Sequence, residues 1–153
     1  MKVTEDSYRI AAGNHASIAQ NLVDSGQYPL ASYLAGLAVE CMIRAYSYRI
    51  VGEFDARHDL RLWYRRSRFD AFVPENRRVD LVSAFTIIVA RWNNSQRYYS
   101  VELLKAEWKS AELDRGVRGD FVKERTRQLT DAASTIVALG ETQWKNSLRR
   151  SKN

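Results

Sequence analysis

The chain has 153 residues, 45% of them apolar and 27% charged, the mix of a folded protein with room for one core. A single cysteine excludes an internal disulfide, two prolines and seven glycines exclude a collagen-like or low-complexity chain, and no apolar run reaches the roughly 18–20 residues that span a bilayer. The net charge is +6, with Arg outnumbering Lys by 18 to 6, and the opening MKVTEDSYRIAAGNHAS lacks the apolar stretch of a signal peptide, so the expected compartment is the cytoplasm.

The apolar periodicity is helical nearly throughout. Ala11, His15, Ile18 and Leu22 recur at spacings of four, three and four, one stripe of a first helix that Gly26 closes. On that stripe His15 reads as a core or interface residue. Tyr28-Pro29 restarts the chain, proline suiting a first helical turn. Leu30, Leu34, Leu37, Cys41, Ala45 and Tyr48 then form a second stripe, and Ala31, Ala35, Gly36 and Ala38 permit close approach of a neighbour. This is the expected central helix, closed by Gly52. The loop GEFDAR leads to His58, and Asp59 is placed to cap a short basic helix ending near Arg68.

Asp70 to Pro74 break the chain again. Over 78–92, Val82, Phe85, Val89 and Trp92 make one stripe while Leu81, Ala84, Ile87 and Ile88 fill the other side. That pattern predicts a helix buried on two sides, one of them a candidate subunit contact. Asn93-Asn94-Ser95 interrupt it. Residues 101–113 read as a short helix, RGVRGD (115–120) as a turn, and the rest to about Lys145 as a long final helix. The expected architecture is all-α, an up-and-down bundle of about five helices in a single domain over 1–145, with a basic tail at 146–153.

The positive charge is concentrated. Residues 57–68 (RHDLRLWYRRSR) and residues 144–153 (WKNSLRRSKN) each carry +4, leaving −2 for the remainder. The terminal run, with Arg149, Arg150 and Lys152, suits a solvated helix end as well as an anionic partner. In the first cluster Trp63, Tyr64 and Phe69 are interleaved with arginines. Cations for phosphate and aromatics for stacking are what single-stranded RNA requires; the alternative is an amphipathic helix with its aromatics inward.

Metal binding is unsupported, because two His and one Cys lie in separate elements without ligand spacing. No Gly-rich phosphate loop occurs, and no cofactor is implied. Cys41 lies on an apolar stripe and reads as an inert buried thiol. Glu40 sits inside the apolar run LAGLAVECMIRAY. It either pairs with Arg44 one turn on or is a partly buried carboxylate holding a polar partner, His58 or Arg97. His58 is a candidate base or a loop anchor. Arg97 and Tyr98, in WNNSQRYY, either clamp a phosphate or base or satisfy the preceding helix end.

SGQYPLASYLAGLAVECMIRAY, then HDLRLW, then WNNSQRYY together resemble the small prokaryotic HEPN-domain proteins. The pattern is carried by Gly26 and Tyr28, Glu40, His58-Asp59-Leu60, and Trp92 with Arg97-Tyr98, over roughly residues 8–100. The resemblance implies a helical bundle that dimerises and works in nucleotide or RNA transactions, as a toxin–antitoxin or phage-defence component or as the companion of a nucleotidyltransferase. The family's ribonucleases carry an Arg followed four to six residues later by a His, late in the domain. This chain has no His after His58. The leading expectation is therefore a binding module in which Arg57, His58, Arg61 and Arg97 contact phosphate and Tyr98 stacks. The alternatives are a metal-independent ribonuclease with His58 as base, and a purely structural assembly domain.

Overall fold

A computed structural model describes residues 1–52 and 56–150, apart from the side chains of residues 51 and 148–150. Residues 53–55 of the loop GEFDAR, Lys152, and the side chains of Arg149 and Arg150 in the basic tail thus lie outside the described residues. Every regular element described is helical: α1 (Glu5–Asp24), α2 (Tyr28–Val51), α3 (Leu60–Ser67), the single turn α4 (Phe69–Phe72), α5 (Arg78–Arg91), α6 (Val101–Ser110) and α7 (Phe121–Arg150). Short 3-10 turns precede α5 (Glu75–Arg77) and follow it (Asn94–Tyr98). The short helix expected over 101–113 is present as α6, and the count exceeds about five because the single turn α4 forms where the chain is expected to break. No described helix is long and apolar enough to cross a membrane.

Local chemistry explains the boundaries. Thr4 and Ser7 form a reciprocal capping box, each hydroxyl accepting the other's backbone N–H at 3.2 Å. Asp59 Oδ1 accepts the Leu62 N–H at 2.9 Å and starts α3, and Ser100 caps α6 in the same way. Gly26 and Gly52 take positive φ just past α1 and α2, a conformation a side chain would strain.

α2 is the central helix. α1 runs along it, α7 packs on α1, α2 and α5, and α3 and the turn after α5 close its remaining side. It is accordingly buried almost all round, from Ala31 to Ser47. The α1 stripe is displaced from the expected one. Ala12, Ala16, Ala19 and Val23 are buried, while Ile18 is 46% exposed and Ala11, His15 and Leu22 lie at the margin. Close approach of two backbones selects the smallest residues for the contact line, so the larger Ile18 is pushed outward. On α2, Leu30 is likewise exposed and the alanines face inward.

α5 also departs from expectation. Leu81, Ala84 and Ile88 are buried, but Val79 and Val82 are 75% and 58% exposed. Among the described residues, only one side of this helix is covered.

Two glycines mark where packing is tightest. A Cβ on Gly36 would lie 2.1 Å from the Trp92 ring, and one on Gly140 would lie 2.5 Å from Met42 Sδ. Tyr46 sits against the second contact, donating its hydroxyl to the Gly140 carbonyl at 2.6 Å and packing edge-on to Phe69 and Trp144.

Candidate functional site

The site grows from Glu40. Its side chain is 3% exposed, so an ionised carboxylate there needs partners. It has two. Arg44, one turn along α2, reaches Oε1 from Nε and Nη2, both at 2.9 Å, and His58 Nδ1 meets Oε2 at 3.0 Å. Both alternatives read from the sequence thus hold for this residue, and Arg97 is not its partner.

Arg44 does more than balance charge. Its guanidinium lies 4.3 Å from the Trp63 ring centroid and 5.8 Å from that of Tyr8. It also donates to the Arg57 carbonyl, which accepts the Trp63 indole N–H as well, at 2.9 Å. Arg57 holds φ +50°, in the left-handed region. Two side-chain donors therefore fix the main chain just before His58 and present its ring beside Glu40.

An acceptor-only carboxylate requires that His58 Nδ1 carry the proton, which makes Nε2 the nitrogen left for other chemistry. The ring is 43% exposed and lines a cleft of about 250 Å3. The cleft joins two segments far apart in sequence. His58, Asp59 and Arg61 come from the start of α3, and Trp92, Asn93 and Asn94 come from the break after α5. Trp92 is set by its indole N–H, which donates to the Tyr33 carbonyl at 3.1 Å, and by its seat over Gly36. Asn94 Oδ1 is buried without a hydrogen-bond partner among the described residues.

Arg97 and Tyr98 lie outside this lining. Arg97 is exposed and stacks 4.7 Å over Tyr98 and 5.9 Å from Tyr33, and Tyr98 is 76% exposed. They form a separate cation–aromatic surface joined to the cleft through Tyr33, whose carbonyl holds Trp92. The aromatics among the 57–69 arginines point the other way. Trp63 and Phe69 are fully buried, and Tyr64 stacks on Phe85 at 4.1 Å. Of the two alternatives for this cluster the amphipathic helix holds: its apolar face is spent on the core.

Cys41 is buried, and burial, reinforced by the Glu40 charge, pushes its thiol up to about 12, which leaves it unreactive. No group of three or more His, Cys, Asp or Glu able to hold a metal occurs among the described residues. The residues that sequence reasoning missed are Asn93 and Asn94, passed over as a mere helix break, and Gln96, fully buried with its amide donating to the Arg91 carbonyl at 2.6 Å. Asparagine clusters after an apolar helix were the available signal. Comparison of the chain with family models, with curated proteins and with solved structures found no match.

Proposed function

We propose that the cleft between the start of α3 and the break after α5 binds a phosphate-bearing nucleotide or single-stranded RNA. The observation that carries this reading is the convergence in one cleft of Arg61, His58, an indole and two carboxamides. A cation and an imidazole recognise phosphate, while an aromatic wall and amide groups suit a base or sugar. Arg57, also expected to contact phosphate, precedes His58 in the chain but is not among the residues that line the cleft. Arg97 and Tyr98 continue the track as an exposed stacking surface.

In this reading the protein is a HEPN-type module of the cytoplasm. It acts as a homodimer through the uncovered side of α5, where Val79 and Val82 are exposed, and together with a nucleotidyltransferase or another toxin–antitoxin or defence protein. The test is binding of a labelled single-stranded RNA and of a labelled nucleotide at about 50 and about 200 mM salt. Each phosphate contact adds about 0.7 to the slope of log affinity against log salt. Steep salt dependence that flattens in Arg61→Ala supports the reading, and affinity indifferent to salt and to Arg61 refutes it.

The Glu40–His58 bond favours one second reading. A carboxylate that orients an imidazole through Nδ1 leaves Nε2 as a base, the arrangement used to activate a hydroxyl. A metal-independent ribonuclease would use His58 to deprotonate the ribose 2′-hydroxyl and Arg61 to steady the phosphorane. RNA cleavage abolished in His58→Ala and strongly reduced in Glu40→Gln would establish it. Cleavage retained in His58→Ala excludes it.

A further inference from the structure

A second cleft, of about 380 Å3, lies where α7 begins, against the turn before it. Arg118, Lys123, Arg125 and Arg127 line it, opposed by Asp120 and Glu124. Both carboxylates are already engaged by N–H groups: Asp120 Oδ1 accepts the backbone N–H of Lys123 at 3.1 Å, and Glu124 Oε1 accepts the Gln128 amide at 3.3 Å. Among the described residues, none of the four cations forms an ion pair; the pairs all lie elsewhere.

One lining residue, Arg125, is held by the turn before α7 and meets a second guanidinium, Arg91, through Gln128. Arg125 donates to the carbonyls of Leu113 and Arg115 at 2.8 and 3.0 Å and to Gln128 Oε1 at 3.0 Å. Arg91, reaching over from the end of α5, donates to the same Gln128 oxygen at 2.9 Å and to the Arg125 carbonyl at 3.1 Å. Two partly buried cations thus share one neutral oxygen with no carboxylate between them. Burial and the Arg125 charge push Arg91 down to about 10. Pinning the turn at 113–115 accounts for the hydrogen bonds Arg125 makes. It does not account for two guanidinium groups sharing one neutral oxygen, nor for three more cations in a cleft that holds only two carboxylates. Of five N–H groups per guanidinium, two on Arg125 and three on Arg91 have no acceptor among the described residues.

We propose that this cleft is an anion site for a phosphate group, held by Arg125 together with Arg118, Lys123 and Arg127, with Arg91 adding its field from behind Gln128. Arginine forks match phosphate oxygens, and a doubly charged group offsets the clustered charge better than a carboxylate does. Asp120 occupies the Lys123 N–H, so the binding is by side chains. The same chemistry is offered by a free mono- or diphosphate and by the backbone of an oligonucleotide. The site shares no residue with the His58 cleft, because Arg91 and Trp92, though consecutive, engage α7 and α2 respectively.

The test is thermal unfolding of the full chain in inorganic pyrophosphate against sodium chloride at matched ionic strength, for wild type and for the Arg118→Ala/Lys123→Ala variant, both positions being exposed. A saturable rise in Tm in wild type that is lost in the variant is expected. An equal rise in both, or none above chloride, overturns the proposal. 31P line broadening on the folded proteins in the cold makes the same comparison whatever the variant's stability. The source of the phosphate is read with an RNA oligomer lacking terminal phosphates. A variant whose salt slope is shallower by about 1.4, the worth of two contacts, places an RNA backbone in the cleft. Unchanged RNA binding with loss of the pyrophosphate effect assigns a free phosphate. His58→Ala leaves this cleft's lining untouched, so a pyrophosphate effect that survives His58→Ala and is lost in Arg118→Ala/Lys123→Ala belongs here, and failure here and failure of the first cleft are separable.

Discussion

Gly36→Ala is a one-methyl perturbation with a calculable consequence. Alanine is favoured over glycine within a helix by about 1 kcal/mol, so on an open helix face the change stabilises. At position 36 the methyl would sit 2.1 Å from the Trp92 ring, well inside contact distance. Trp92 must leave its seat or α2 must move. Overpacking of this kind costs about 3 kcal/mol at the upper end of its range, and release of the indole N–H from the Tyr33 carbonyl adds about 1 kcal/mol. Less the helix gain, the net loss is about 3 kcal/mol. For a chain of this length each kcal/mol moves Tm by roughly 3 °C, so a fall of about 9 °C is expected. Gly13 is the internal control: it is exposed in the middle of α1 with nothing within 4 Å of an added Cβ. Gly13→Ala is expected to raise Tm by about 2–3 °C. Calorimetry or circular dichroism melts measure both, and indole fluorescence reports whether Trp92 has moved. Equal Tm values for wild type and Gly36→Ala, with unchanged emission, would refute the packing described for the cleft wall.

Three further outcomes follow from the same contacts. Glu40→Ala strands Arg44 and His58; because Arg44 keeps the Arg57 carbonyl and the Trp63 face, the loss should sit at the low end for a broken buried pair, about 3 kcal/mol, and a urea midpoint unchanged from wild type would contradict it. His15 is partly buried, and burial holds its pKa below 6.5; the unfolded chain then binds the proton first, so stability is full above about 6.5 and declines as pH falls toward the lower folded value. His15→Asn should flatten that part of the stability–pH curve, and identical curves would show that another group sets it. Cys41, buried with its thiol near 12, should react with a thiol reagent at neutral pH only at the rate of unfolding; rapid labelling of the native protein would place it at the surface instead.

Much of the architecture was legible because short-range chemistry decides it. Asp59 announces α3, Pro29 and Gly52 bracket α2, and Asn93-Asn94 end α5 where the structure ends it. Glu40 was legible as a buried carboxylate in need of a partner, and His58 was among those named. The faces were less legible. On α1 the strongest apolar stripe is not the buried one, since close packing prefers Ala12, Ala16 and Ala19 to Ile18. In α3 a sequence places Trp63 among arginines without saying that the ring turns inward. The Arg91–Arg125 pair was illegible for a different reason: its acceptors are main-chain carbonyls and one glutamine, and carbonyls are present at every residue. A pattern of residue types records which side chains meet apolar neighbours far better than which ones meet the backbone.

That distinction bears on residue 57. What Arg44 and Trp63 hold there is a carbonyl, which no substitution of the Arg57 side chain removes. An alanine scan through the basic segment would leave that acceptor in place and would assign the anchoring to residues 44 and 63. Glycine is the more informative replacement. Alanine and glycine both remove the cation and keep the acceptor, but only glycine relaxes the positive φ, so the difference between Arg57→Ala and Arg57→Gly isolates the backbone contribution of the position as the hinge post of the histidine. The only chemistry that addresses the post itself is replacement of the 57–58 amide by an ester, which weakens the carbonyl as an acceptor while every side chain stays in place.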